Sequence, residues 1–276
     1  MKYAKMLDGR YALILGGDTD VGAAVARAFA AHGARVAVAD AFAADIRHAP
    51  DVPHIPRSPD VSHNPEVPRT SGAPHASSAP DIPHVPDIPD ALVFATPMVS
   101  SAMQELCSAV LASFPYVDIL VGATGPYKTG ATRDFPASDL RSMLDSNLGC
   151  AVKCFQRLLP GMLERRRGEL ILFAPDLADA GMPGAAAAAA CAGAIASFAR
   201  NVTNDYIRYR VRANAILYPF DGACGRAPLS GAPEPADAAN AALWYACYLS
   251  RFVTGERLNL NGGLAYVNTR GGASRA

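Results

Sequence analysis

A strand, a glycine-containing turn, a helix and a second strand follow one another near the start of the chain. Residues 11–15 are apolar and predict the first strand, residues 21–32 are rich in alanine and predict the helix, and RVAVA at 35–39 predicts the second strand. Gly33 ends the helix, and Asp40 closes the second strand. A βαβ unit of this length pairs its two strands in parallel, so the chain is expected to build a parallel sheet.

The same alternation continues along the rest of the chain. Further strand-like runs begin at residues 91, 118, 169, 212 and 257. Helix-length segments lie between them, at 100–114, 137–166, 185–207 and 236–250. Strands that alternate with helices at this spacing form a parallel sheet with helices on both faces. We therefore predict a doubly wound, Rossmann-type α/β fold that forms a single domain over residues 1–276.

One crossover helix is missing from this alternation. Residues 48–90 form a Pro/His-rich insertion after the second strand, with eleven prolines between Pro50 and Pro89. Proline at this density forbids a helix and favours an extended loop. Five of the six histidines of the chain lie here, which leaves two interpretations. The insertion is either a low-complexity tract, which we favour and which predicts no metal site, or a functional element: a metal or partner site, a pH-sensitive arm, or an extended arm that docks a partner domain.

Composition excludes several classes of partner. The chain has 25 basic and 25 acidic side chains, so neither a nucleic-acid partner nor a membrane surface is expected. The most apolar run, Ala185–Ala199, is shorter than the roughly 18 to 20 residues that span a bilayer. The first residues resemble no secretory signal, and the six cysteines form no CxxC pair. These features predict a cytoplasmic protein with reduced thiols.

The order of several short motifs carries a resemblance to a known family. The motifs are, in order, LILGGDTDVGAAVARAFAAHGARVAVAD, VDILVGATG, LDSNLGC, GELILFAP, VRANAILYP and FVTGERLNLNGG. In this order they resemble the short-chain dehydrogenase/reductase superfamily over nearly the whole chain apart from the insertion. The resemblance implies a Rossmann-type fold, a nicotinamide cofactor and a small carbonyl or alcohol as substrate.

The resemblance also implies where a cofactor would bind. Gly16 and Gly22 match the first and third glycines of the turn that approaches the pyrophosphate of the cofactor, and Gly125 matches the glycine after the fourth strand. Asp40 matches the carboxylate that bonds the adenosine ribose, which favours NAD over NADP. Two positions depart from the family: Asp20 replaces the middle glycine, and Thr96 replaces an aspartate near the adenine. Both departures weaken the prediction of bound NAD.

The catalytic residues of the family are mostly replaced. Asn147 matches the asparagine that supports a water relay, but Pro175 stands at the serine, Ala188 at the tyrosine and Ala192 at the lysine. The four lysines are Lys2, Lys5, Lys128 and Lys153, and none of them lies four residues after a tyrosine. Without the acid and the lysine that lowers its pKa, proton transfer is expected to slow by several powers of ten.

Two functions follow from this pattern. The first is a degenerate member that binds a small-molecule ligand or acts as a scaffold without redox chemistry. The second is an NAD(H)-dependent oxidoreductase of a small carbonyl or alcohol, with Tyr127 or Tyr218 as a substitute proton donor at the carboxyl ends of strands. For either function the alanine-rich helix predicts a homodimer or homotetramer, because family members commonly pair at this helix and the preceding one.

Overall fold

A computed structural model describes residues 5–40, 88–178, 182–220 and 233–263. In this part of the chain seven strands form one parallel sheet in the order β3-β2-β1-β4-β5-β6-β7. The strands are β1 (Tyr11–Leu15), β2 (Arg35–Asp40), β3 (Leu92–Ala95), β4 (Ile119–Gly122), β5 (Gly168–Pro175), β6 (Val211–Tyr218) and β7 (Arg257–Asn259). The helices are α1 (Asp20–Ala31), α2 (Met103–Ser113), α3 (Ala137–Leu144), α4 (Cys150–Arg165), α5 (Ala186–Tyr206) and α6 (Pro235–Ala246).

The predicted fold class is therefore confirmed. All seven predicted strands are present within a residue or two of their expected bounds. Some predicted helices differ from the structure in their bounds. The segment predicted as a single helix over 137–166 contains a π-helical turn at Asp145–Gly149 between α3 and α4. The helix predicted over 236–250 ends at Ala246 and is followed by a short 3-10 turn. Most of the Pro/His-rich insertion lies outside the described residues, but Ile88 near its end is buried in the core.

Helices cover both faces of the sheet, as a doubly wound fold requires. Side chains of α2, α4 and α5 pack with one face of the strands, and side chains of α1 and α6 pack with the other. The strands β1, β4, β5 and β6 are buried on both faces, which explains their continuous apolar sequences. None of the described helices combines the length and the apolar character that crossing a bilayer requires. Five of the six cysteines are described, and all five are free and buried.

The strand order reverses between β1 and β4. The chain runs outward from β1 through β2 to β3, then returns to the other side of β1 and continues from β4 to β7. The loops after β1 and β4 consequently leave the sheet in opposite directions and open a crevice at its carboxyl edge. This crevice is where open α/β sheets bind ligands.

A buried ion pair stabilises the opposite end of the sheet. Arg212, the second residue of β6, pairs with Glu169, the second residue of β5, and each is less than a tenth exposed. Arg212 also donates hydrogen bonds to the carbonyls of Ser250 and Val253, both at 2.6 Å, and thereby holds the segment before β7. Burial raises the pKa of Glu169 to about 8, because the loss of hydration outweighs the attraction of Arg212. These charges hold the fold together and lie at the sheet end away from the crevice.

Candidate functional site

The turn after β1 is closed by a threonine that the sequence motifs did not single out. Thr19 caps α1, and its hydroxyl oxygen accepts a hydrogen bond from the backbone N–H of Gly22 at 2.9 Å. The same hydroxyl lies within donor distance of the carbonyl of Gly16 at 2.8 Å and that of Ala123 at 3.0 Å. Thr19 therefore joins the loop after β1 to the loop after β4. A threonine directly before a helix is the signal that could have revealed it.

Both matched glycines of this turn are required by packing. A Cβ at Gly16 would lie 2.5 Å from the carbonyl oxygen of Ala123, and one at Gly22 would lie 2.0 Å from the carbonyl oxygen of Gly16. Gly16 also has a φ of +87°, which disfavours other residues. The close approach of the two loops explains Gly16, and the tight turn after β1 explains Gly22, without a cofactor. Gly125, in contrast, has open space around its Cα.

Asp20 occupies the position where the turn would face a diphosphate. It is the first residue of α1, and its side chain is exposed at the mouth of the crevice. A helix N-terminus carries about half a positive charge, whereas an ionised carboxylate carries a full negative one. The net local charge at this helix end is therefore negative and opposes the binding of a phosphate anion.

Asp40 and Thr96 lie next to each other at the ends of β2 and β3. The backbone N–H of Thr96 donates to the carbonyl of Asp40 at 3.0 Å, and Thr96 is 9% exposed. Asp40 is half-buried at the carboxyl end of β2, where the resemblance predicted a ribose ligand. Neither residue lines the crevice described below.

Asn147 lies in the π-helical turn and is 3% exposed. Its amide nitrogen donates to the carbonyl of Met143 at 3.0 Å and more weakly to that of Pro126 at 3.4 Å. The side-chain oxygen of Asn147 is buried without a partner in the described residues. The amide thus fixes the loop after β4 to the turn, and one hydrogen-bond acceptor stays unused. π-helical turns often occur at functional sites.

The positions of the missing serine, tyrosine and lysine are filled by apolar packing. Ala188 and Ala192 on α5 have no exposed surface, and Pro175 ends the fully buried strand β5. Ala188 packs in a small apolar cluster with Leu177 and Ala185. We call these three residues, with the partly buried side chains packed on them, the alanine cluster. Those partly buried side chains are Tyr127, Met182, Ala189 and Phe220.

Tyr127 packs against the buried residues of the alanine cluster, and its hydroxyl points inward. The hydroxyl oxygen is buried and has no hydrogen-bond partner in the described part of the chain. Burial raises the pKa of Tyr127 well above its ordinary value, and the nearby thiol of Cys191 adds to the effect. A raised pKa makes the hydroxyl a weaker acid at neutral pH.

Tyr218 and Asp176 are occupied by contacts with neighbouring loops. Tyr218, the last residue of β6, donates its hydroxyl to the carbonyl of Pro233 at 2.6 Å. Asp176, 3% exposed after β5, accepts hydrogen bonds from the backbone N–H of Phe220 and from the amide of Asn261, both at 3.3 Å. Asp176 therefore joins the loops after β5, β6 and β7 below the crevice.

The crevice contains a cavity of about 510 Å³, which is within the range of small-molecule sites. It lies where β1, β4, β5 and β6 end. Its lining residues are Thr19, Asp20, Val21, Ala123, Thr124, Gly125, Pro126, Tyr127, Phe173, Ala174, Pro175, Tyr218, Pro219, Phe220, Pro233 and Pro235. The cavity thus brings together Gly125, Tyr127 and Tyr218 of the predicted site. Gly16, Gly22, Asp40 and Asn147 are not among its lining residues.

Fold and cavity together define a Rossmann-type protein with a ligand crevice at the topological switch point. A family model described as short chain dehydrogenase matches residues 90–220. A solved structure described as a short chain dehydrogenase/reductase family protein shares the fold, with a TM-score of 0.71 and 24% identity over 95% of this chain and 100% of that one.

Curated relatives show the same relationship. The chain is 23% identical over 176 residues to the 3-oxoacyl-(acyl-carrier-protein) reductase FabG of Staphylococcus epidermidis, covering 59% of this chain and 72% of that protein. It is 25% identical to the FabG of Chlamydia muridarum, covering 61% and 72%. It is 23% identical to the 2-dehydro-3-deoxy-D-gluconate 5-dehydrogenase of Formosa agariphila, covering 59% and 68%. The family model, these relatives and the shared fold together support membership of the chain in the short-chain dehydrogenase/reductase superfamily, whose members typically bind NAD(P) and small-molecule substrates.

Replacing each of the two tyrosines of the cavity wall with phenylalanine should have a different effect on stability. Tyr127→Phe removes a buried hydroxyl that has no partner, so the free energy of unfolding should stay unchanged or rise by up to about 1 kcal/mol. Tyr218→Phe removes the hydroxyl that donates to the carbonyl of Pro233 and should lower the free energy of unfolding by about 1 kcal/mol. Urea denaturation of both variants measures the difference. A larger loss for Tyr127→Phe than for Tyr218→Phe would contradict this assignment of contacts.

Proposed function

We propose that this protein is a degenerate short-chain dehydrogenase/reductase that binds a small molecule in the crevice and carries out no hydride transfer by the family mechanism. The buried alanines of α5 carry the proposal. Ala188 and Ala192 have no exposed surface, and the neighbouring space is filled by Leu177 and Tyr127. Proton donation by a tyrosine needs a group that reaches the substrate, and at Ala188 a methyl group is packed instead.

The residues present fit a dinucleotide cofactor poorly. At the adenosine end Asp40 is suitable for a ribose. At the diphosphate, however, the exposed carboxylate of Asp20 makes the end of α1 negative. At the nicotinamide ribose the methyl group of Ala192 offers neither charge nor hydrogen bond. Two of the three parts of a dinucleotide therefore lack their protein partners, which supports a different ligand.

A second candidate function is an NAD(H)-dependent oxidoreductase of a small carbonyl or alcohol. Asp40 and Asn147, at the two positions that the family uses for the ribose and for the water relay, favour it. Tyr127 or Tyr218 would then donate the proton, since both line the cavity. The raised pKa of Tyr127 and the occupied hydroxyl of Tyr218 work against this function.

The remaining features of the proposal concern the state of the protein in the cell. We propose a cytoplasmic homodimer or homotetramer whose subunits pair through the alanine-rich helix α5. Its sequence of small residues lets a second helix approach closely. We also propose that residues 1–276 form a single domain that contains the Pro/His-rich insertion of residues 48–90.

Restoring the tyrosine and the lysine of the family at Ala188 and Ala192 should destabilise the fold. The double variant Ala188→Tyr/Ala192→Lys forces two large side chains into a fully packed region and should lower the free energy of unfolding by about 1–3 kcal/mol or more. Thermal denaturation measures the loss. The matched control is Ala109→Tyr/Ser113→Lys, which has the same spacing on the exposed side of α2 and should change stability little. A restored variant as stable as the control, with new NADH-dependent reductase activity, would contradict the proposal.

Dinucleotide affinity should depend on Asp20. We expect NAD, NADH, NADP and NADPH to bind the full chain no more tightly than the millimolar range in calorimetry. A like charge about 4 Å away costs about 1 to 4 kcal/mol, so Asp20→Gly and Asp20→Asn should each tighten NADH binding by about tenfold or more. Micromolar binding of NADH to the unaltered chain would overturn the poor fit and favour the second candidate function.

A further inference from the structure

We propose that the crevice binds an apolar organic amine, with its ammonium group beside Asp20 and its hydrocarbon body against the aromatic side chains of the cavity. This inference rests on the proposed function and adds the chemical class of the ligand. It starts from the charge of the cavity and its aromatic wall.

Among the residues that the structure describes, the cavity lining carries one charged side chain, and that charge is negative. Among the described lining residues Asp20 is the only acidic one, and none is a lysine, an arginine or a histidine. In the same described part of the chain the Asp20 carboxylate takes part in no ion pair. The nearest lysine in the loop after β4, Lys128, turns outward and pairs with Asp139 at 2.8 Å.

The charge of Asp20 exceeds that of the helix end on which it lies. The N-terminus of α1 contributes about +0.5 charge, and the carboxylate contributes −1 when ionised, so the mouth of the cavity keeps about half a negative charge. An anionic ligand is repelled there, whereas an ammonium group is attracted.

Four aromatic residues supply the rest of the binding surface. Tyr127, Phe173, Tyr218 and Phe220 line the cavity together with several prolines. Such walls favour an apolar body through burial of its surface, and aromatic faces attract cations by about 0.5 to 2 kcal/mol. A carboxylate at the mouth and aromatic faces within match both parts of an apolar amine.

Tyr127 contributes its ring, and not its hydroxyl, to the binding surface. The hydroxyl oxygen is buried without a partner in the described residues, whereas the ring lines the cavity. A ligand in the cavity therefore meets an apolar face at Tyr127, which adds to the aromatic surface.

The inference is tested with three ligands that share one ring system and differ in charge. Tryptamine, tryptophol and indoleacetate carry an ammonium, a hydroxyl and a carboxylate at the end of a short chain on indole. Calorimetric titration of the full chain should give binding of tryptamine about tenfold or more tighter than binding of tryptophol, with indoleacetate weakest. Asp20→Asn should abolish the preference, and Asp134→Asn, an exposed acid outside the cavity lining, should retain it.

The other outcomes separate this inference from the proposed function. Equal binding of tryptamine and tryptophol, or a preference that survives in Asp20→Asn, overturns the amine ligand but leaves a ligand-binding crevice. Tightest binding of indoleacetate also overturns it. Failure of all three probes overturns the amine ligand too, and if NADH binds the same protein in the micromolar range, the proposed function fails with it.

Discussion

The carboxyl edge of the sheet depends on the close approach of two backbone loops, one after β1 and one after β4. The missing side chain of Gly16 allows this approach, and the Thr19 hydroxyl bonds across it to Ala123. Because the loops meet here, the crevice opens beside them, and the first residue of α1 faces its mouth. That residue is Asp20, so the geometry that the family uses to approach a phosphate presents a carboxylate in this chain.

In this molecule the contacts that stabilise the sheet are different from those at the candidate site. The sheet is held by apolar packing on both faces and by the buried Arg212–Glu169 pair at its amino end. The site residues lie at the other end, in loops and on the first turns of α5. Replacing a tyrosine and a lysine there with alanine removes no contact that the sheet needs. A binding crevice can consequently persist after the proton-transfer groups have gone.

The sequence predicted the order of the elements because apolar strands and helix-length segments alternate so regularly. It also leads to the prediction that the tyrosine and lysine of the family are absent, since no lysine lies four residues after a tyrosine. It did not reveal the π-helical turn at Asp145–Gly149, because one extra residue in a helical turn leaves the composition of a helix unchanged. The inward hydroxyl of Tyr127 and the alanine cluster depend on contacts between distant segments, which one sequence does not encode in any local pattern.

The central claim, loss of hydride transfer with retention of the crevice, is tested most directly by a single-turnover assay. Protein in excess over NADH or NADPH is mixed with a panel of carbonyl compounds, including a 3-oxoacyl thioester of the kind named for the relatives, and the absorbance of the reduced nicotinamide is followed. We predict no loss of absorbance beyond that in buffer. Stoichiometric oxidation of NADH that disappears in Tyr127→Phe or Tyr218→Phe would contradict the account and show that a tyrosine of the cavity wall donates the proton.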